Sequence, residues 1–280
     1  MKVQIACCQL LLSDNKAKNL KNAETMIRTE AQKGTKIIIL PEMFICPYCN
    51  SNFITAAEPE DGPTLKFIAQ LAKELKLIIF AGSIPERDND KIYNTCFVFD
   101  QSGKCIGKHR KIHLFDVDVK NGISFKESNV LSAGDTITVV KTDFGPIGIA
   151  ICFDVRFVEI FRIMVQEGAK LIVIPAAFNM TTGPLHWELA MRARAVDNQC
   201  FIAACSSARN LGATYYAWGH SCIIDPWGTV LADALENEGS IRSTIDITLV
   251  DSVREQLPIL SAVKSDIYTC QKISTKKTAT

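Results

Sequence analysis

A chain of 280 residues, 48% hydrophobic and 22% charged, with a formal net charge of +1, has the composition of a globular protein able to bury a sizeable core. So small a net charge, with no basic stripe interleaved with aromatics, offers no field to draw in nucleic acid or an anionic membrane surface. No apolar run approaches the roughly 18 residues of a membrane span.

The elements follow in chain order. "MKVQIACCQLLLSD" has one lysine and an apolar run broken by Gln4 and Gln9, with no clear cleavage site, so it reads as a buried strand over 3–10 rather than a signal peptide. Residues 19–34 read as an amphipathic helix with Leu20, Ala23, Ile27 and Ala31 on one face and Gly34 at its end. "TKIIIL" (35–40) is the continuous apolar run of a strand covered on both faces. A second helix, 62–76, begins with Pro63 in its first turn and leads to a buried strand at 77–83. Residues 93–100 and 104–112 read as a β-hairpin. The segment 113–135 is polar and long for a loop, the character of a lid.

Strands are expected at 136–142 and 146–152, then a helix at 157–167 and a strand at 169–178. A helix at 184–199, a strand at 200–207, a hairpin turning at "DPWG" and a last strand at 243–248 complete the pattern. No linker divides the chain, so one domain over 1–268 and a frayed polar tail over 269–280 are expected. Parallel strands, hairpins and intervening helices imply a layered α/β fold. Some ten to twelve strands are too many for one comfortable open sheet, and two stacked sheets with helices outside would use them all. The eleven cysteines are odd in number and lie mostly in apolar strand-like runs, as free thiols do in a cytoplasmic or other reducing interior.

Three strand ends deliver a chemically loaded residue: the apolar run "IIILPE" Glu42, the hairpin strand "IGKHRK" Lys111 and the apolar run "IGIAICFD" Cys152. Ligands gather beyond the carboxyl ends of parallel strands, so the three side chains can meet in one pocket. Singly, each also has an ordinary reading: Glu42 as a cap or surface charge, Lys111 as part of a solvated basic run, Cys152 as core. Together they suit one chemistry. A thiol attacks a carbonyl carbon, Glu42 takes its proton, and Lys111 with a backbone N–H just after the nucleophile holds the oxyanion. None of His109, His113, His186 and His220 forms an obvious Cys–His arrangement, and this chemistry needs none.

"LPEMF", "KHRKIHLF" and "GIAICFDVRFVEI" resemble, in order and spacing, the Glu, Lys and Cys motifs of the nitrilase superfamily of carbon–nitrogen hydrolases. "AGSIPE", "YNTC", "RKIHLFDVD", "FNMTTGPLHWELAMRARAVDNQ", "WGHS" and "DPWG" are similar to its omega-amidase branch, and the resemblance spans about residues 3–268. It implies a single-domain four-layer α-β-β-α sandwich, Cys152 as nucleophile, Glu42 as general base and Lys111 as oxyanion partner. Glu127 would be a second glutamate that positions lysine and substrate, and the backbone N–H of Phe153 would complete the oxyanion hole. No metal or organic cofactor is implied; the expected partners are a small amide substrate and a second copy of the chain in a homodimer. The substrates implied are small dicarboxylic monoamides, 2-oxoglutaramate and 2-oxosuccinamate, with Arg156 gripping the far carboxylate and Tyr48 and Asn179 as further pocket residues. Arg156 reads equally well as an ion-pair partner of Asp154 or Glu159, while His186, Trp187 and Arg192 read as interface or structural residues. The sequence departs from the pattern at Phe153 (often Tyr), Val158 (often Pro) and Met43 (often Cys).

Two other readings stand beside this one. Another amidase of the same family, such as one acting on deaminated glutathione, has the same motifs. "CPYC" (Cys46 to Cys49) is the spacing of a thiol–disulfide oxidoreductase, but such a motif should open a helix, and "NSNF" is rich in loop formers. No second Cys pair is present to complete a zinc site.

Overall fold

Strand β1 (Lys2–Gln9) alternates its side chains between two cores. Val3, Ile5 and Cys7 point into one, while Ala6 and Cys8 point into the other. A strand buried on both faces needs apolar residues at every position, which is why its sequence is a run and not an alternation. The computed structural model describes residues 1–273, and the last seven residues of the expected tail lie outside them.

After β1 come α1 (Lys16–Gln32), β2 (Ile37–Ile39), α2 (Asn50–Ala56), α3 (Pro63–Leu75), β3 (Ile78–Asp88), β4 (Lys91–Phe99) and β5 (Cys105–Arg110). A small hairpin of β6 (Asp116–Asp118) and β7 (Ser124–Lys126) follows. The second half holds β8 (Thr138–Thr142), β9 (Gly145–Ile149), α4 (Val158–Gln166), β10 (Leu171–Ala176), α5 (Gly183–Asn198) and β11 (Phe201–Ser206). The last elements are β12 (Cys222–Ile224), β13 (Val230–Asp233), β14 (Gly239–Asp246) and α6 (Leu249–Gln256).

Two six-stranded sheets result, in the orders β14-β1-β2-β3-β4-β5 and β13-β12-β11-β10-β9-β8. Each has three parallel strands at its centre and antiparallel strands at its edges. The halves share a topology although no simple sequence repeat is visible. Helices α1 and α3 cover the first sheet, α4 and α5 the second, and the sheets pack face to face through residues such as Ile39, Phe80, Ile149 and Val173. This is the α-β-β-α sandwich expected.

Several boundaries differ from the sequence reading. Helix α1 starts three residues earlier than expected because the Asn15 side chain accepts from Lys18 N at 3.0 Å and caps it there. Helices α2 and α6 were not anticipated; each buries only one or two apolar side chains, too few to show a period. The segment expected to be a lid holds the β6–β7 hairpin and a 3-10 turn, Glu127–Asn129. No helix among the described residues is long and apolar enough to cross a membrane.

One irregularity of the first sheet shapes the loop after β2. The β3–β4 register shifts between Ala81 and Ile84, and Gly82 sits there at φ +36 with the Pro41 carbonyl where a side chain would stand. The bulge turns Ser83 toward that loop: Ser83 Oγ accepts from Met43 N at 2.9 Å, and Ser83 O accepts from Phe44 N at 3.1 Å. Gly82→Ala is expected to lower the unfolding free energy by about 1–3 kcal/mol, as strain at a glycine-only conformation does. Urea denaturation followed by circular dichroism measures it.

Candidate active site

The first sheet delivers two charged side chains to one point. Glu42 lies in the loop after β2, between the bulge contacts just described and Met43 at φ +52. Lys111 follows β5 directly, its N–H bonded to Asn94 O and its carbonyl to Gly134 N, each at 2.8 Å. Glu127 opens the 3-10 turn beyond the β6–β7 hairpin and is fully buried, not a surface charge. Cys152 arrives from the second sheet, three residues past β9. It is the first residue of a 3-10 turn, Cys152–Arg156, at φ +46. A non-glycine residue held there persists only where its surroundings fix it.

Lys111 Nζ donates to Glu42 Oε1 and Glu127 Oε1, both at 2.9 Å, and to Tyr48 Oη at 3.3 Å. Glu127 also accepts from Tyr48 Oη–H, and from Phe115 N at 2.6 Å through its other oxygen. Asn94 Nδ2 donates to Glu42 Oε1 at 2.7 Å. Glu42 Oε2 has no donor among the described residues. With Oε1 saturated, Oε2 is the atom free to take a proton from the neighbouring thiol.

Burial raises the Glu42 carboxyl above the ordinary glutamate value; Lys111 opposes this and Glu127 adds to it. Burial alone would depress Lys111, but Glu127 and Glu42 outweigh it and hold the ammonium protonated. Burial first, then the nearby Glu42, push the Cys152 thiol well up, against Lys111 and the Ala177 backbone N–H, which favour the thiolate. The resting arrangement is therefore a neutral thiol beside a carboxylate of raised basicity and a fixed cation. It can move one proton from sulfur to Glu42 as the sulfur attacks an electrophile.

Cys152 opens into a small pocket lined also by Phe115, Phe153, Arg156, Phe178, Asn179, Thr182 and Tyr215. Phe153 stands second in the turn, where its N–H has no partner within the turn. Its ring packs on Phe115 and Phe157. Arg156 makes neither of the ion pairs considered for it. Its guanidinium lies over Phe153 and Phe178, at 5.5 and 5.3 Å from their ring centroids, and its NH1 meets His186 Nδ1 at 3.3 Å. Asn179 lines the pocket and also turns Oδ1 to Thr181 N and Thr182 N, at 2.8 and 3.1 Å. Tyr48 is not at the pocket wall; it is buried within the Glu42–Lys111–Glu127 cluster.

Trp187 is buried, with Nε1 donating to His220 O at 2.7 Å, and Arg192 donates to Gly228 O and Glu188. Val158 is the first residue of α4, a position equally open to proline. Tyr215, which bonds the Ala177 carbonyl beside Cys152, and Asn94 were missed by sequence reasoning. "ATYYAW" carries no signal for the first, and "YNTC" holds the second without marking its role.

The structure corrects one premise about "CPYC". A helix, α2, does follow it, with Cys49 as N-cap residue, because Phe53 is buried edge-on against Tyr48. Both thiols are free, and burial, then Cys49, push the Cys46 thiol up to about 12. An exchange thiol needs the opposite shift. Among the described residues, no three His, Cys, Asp or Glu side chains converge as a metal site requires.

A family model described as carbon–nitrogen hydrolase matches residues 4–255. The chain is 48% identical to nitrilase homolog 2 of Dictyostelium discoideum, over 96% of this chain and 83% of the relative. It is 45% identical to omega-amidase NIT2 of Mus musculus, over 96% of this chain and 97% of the relative. Among solved structures, Saccharomyces cerevisiae Nit3, a member of branch 10 of the nitrilase superfamily, superimposes with a TM-score of 0.86 at 39% identity, covering 94% of this chain and 96% of that one.

Lys111→Met leaves two buried carboxylates facing each other without a cation. It is expected to lower the unfolding free energy at pH 7 by about 3–5 kcal/mol. A carboxyl whose pKa is higher folded than unfolded gains stability as it is protonated, so the deficit should shrink as pH falls toward the carboxylate range. Urea denaturation at pH 7 and pH 5 measures both effects.

Proposed function

The chain belongs to the carbon–nitrogen hydrolase family and hydrolyses carbon–nitrogen bonds of amides; within that family we propose that it is an omega-amidase acting through Cys152 on small dicarboxylic monoamides such as 2-oxoglutaramate and 2-oxosuccinamate. The observation that carries the substrate reading is Arg156, a half-buried guanidinium on the wall of the Cys152 pocket with no carboxylate partner among the described residues. A substrate carboxylate would fill that position with a bidentate pair. Curated relatives named omega-amidase support the same reading.

The proposed steps run through the same residues. Cys152 Sγ attacks the amide carbon while its proton passes to Glu42. The carbonyl oxygen becomes an oxyanion facing Lys111 Nζ and the Phe153 N–H. The C–N bond breaks as Glu42 returns the proton to nitrogen, ammonia leaves, and a thioester remains. Glu42 then takes a proton from water as the water oxygen attacks the thioester carbon; the C–S bond breaks, the acid leaves and the thiol is re-formed. A base of raised pKa serves both directions of this transfer. Glu127 and Tyr48 hold Lys111 on its line to the carbonyl.

The reading extends to a homodimer. Leu185 and Leu189 on α5 are 71% and 70% exposed, an apolar strip that a second copy would cover. Sedimentation is expected to give a dimer that Leu189→Glu weakens.

Ammonia release from 2-oxoglutaramate is the direct test. The parent chain is expected to turn it over, and Cys152→Ala to lose at least about a thousandfold in kcat. Arg156→Ala is expected to raise KM for 2-oxoglutaramate about ten- to a hundredfold, the loss of a charge-assisted pair, with little effect on an amide lacking the far carboxylate. No release by the folded parent overturns the omega-amidase reading and makes deaminated glutathione the next substrate to try.

A further inference from the structure

Two residues past Cys152, Asp154 is completely buried, and its carboxylate accepts from four protein donors. Oδ1 accepts from His113 N at 2.9 Å and from His113 Nδ1 at 2.8 Å. Oδ2 accepts from Ile151 N at 3.0 Å and, at a longer 3.4 Å, from His109 Nε2. A carboxylate only accepts, so each histidine carries a proton on the nitrogen facing it. Both rings are fixed from behind: His109 Nδ1 meets Thr138 Oγ1 at 3.1 Å, and His113 stacks on Phe157 at 3.5 Å between centroids.

The positions of these residues give the network its meaning. His109 lies two residues before Lys111 and His113 two residues after it. Glu42, Lys111, Glu127 and Tyr48 all come from the first sheet and its appended hairpin, while Cys152 comes from the second. Among the described residues, every hydrogen bond between the 109–113 segment and the turn that presents Cys152 ends on Asp154. The same carboxylate binds Ile151 N, and Asp154 N returns a bond to Ile151 O at 3.0 Å, closing the turn around a cysteine in left-handed backbone.

We propose that Asp154, acting through His109 and His113, is a positioning residue that sets the register between the Cys152 sulfur and the Lys111–Glu42 pair. It touches neither the pocket nor the reacting atoms. It fastens the strand exit that carries the ammonium to the turn that carries the thiol, across the seam between the two sheets. The inference rests on Cys152 being the nucleophile and is independent of which amide is cleaved.

The experiment compares Asp154→Asn, His113→Phe and His113→Asn with the parent full-length chain. Two quantities are read: ammonia release from 2-oxoglutaramate, and the rate at which iodoacetamide alkylates Cys152, followed by mass spectrometry of its peptide. Asp154→Asn turns one acceptor into an NH₂ group facing N–H donors. Displacing reacting groups by about an ångström costs about a hundredfold, so kcat is expected to fall by about that factor with KM nearly unchanged and alkylation slowed. His113→Phe keeps the stack on Phe157 but loses the Nδ1 donor, and a tenfold fall in kcat is expected, on the order of one charge-assisted hydrogen bond. His113→Asn, whose side-chain N–H reaches about where Nδ1 stood, should recover most of it.

A purely structural role would lower melting temperature and the fraction of active chains, leave kcat per alkylated site at the parent value, and make His113→Phe and His113→Asn alike. That result overturns the proposal. Should Asp154→Asn fail to fold, the two His113 variants decide. Should the parent release no ammonia, the substrate reading fails, and the alkylation rates alone decide the positioning role.

Discussion

An ammonium buried between two carboxylates cannot exist half-assembled. Lys111 has no exposure to solvent, nor do Glu42 and Glu127, so each charge depends on the others for the interactions water would have supplied. Much of the surrounding structure answers to that requirement. The Gly82 bulge aims the Glu42 loop, Asn94 shares the load on Glu42 Oε1, and the Phe115 N–H with the Tyr48 hydroxyl completes Glu127. The β6–β7 hairpin, two strands of three residues each, is tied to this centre by Glu127 at its exit and by Phe125 packing on Tyr48.

The same burial sets the electrical state from which reaction would begin. Many active cysteines rest as thiolates beside an imidazolium. Here burial and then Glu42 push the Cys152 thiol well up, which favours its neutral form at rest. Among the described residues, none of the four histidines bonds Glu42, Lys111 or Cys152. His109 and His113 bind Asp154, and His186 meets Arg156.

The parallel centre of each sheet was legible because strands covered on both faces must be apolar throughout, as "TKIIIL" and "AKLIVIPAAF" are. Glu42 and Cys152 were legible because each breaks such a run abruptly, and Lys111 because it ends a hairpin strand within a recognisable motif. Helix α2 was not, since Phe53 is its one buried side chain and a single contact has no period. The Asp154 network was hidden for a different reason. Its members lie in segments more than forty residues apart, and each alone looks like an ordinary polar residue. Tyr215 and Asn94 were hidden in the same way, because their importance is a matter of where the chain folds back. Arg156 could be marked as a charge near Cys152, but that it lacks a carboxylate partner among the described residues is visible only in three dimensions.

The pairing of β1 with β14 has a consequence for how the protein is made. Lys2 lies opposite Asp246 and Gln9 opposite Gly239, so β1 waits for β14, far later in the chain, before its outer edge is closed. During translation that edge is an open row of N–H and C=O groups next to an apolar core, the kind of surface on which nascent chains associate wrongly. Contacts of such long sequence separation are also slow to form, because the loop they close is almost the whole chain. A ribosome-bound fragment ending shortly before residue 239 would thus hold every residue of the Cys152 pocket and still lack the strand that seals the first sheet. For this topology, closing the outer edge of β1 waits on the synthesis of β14.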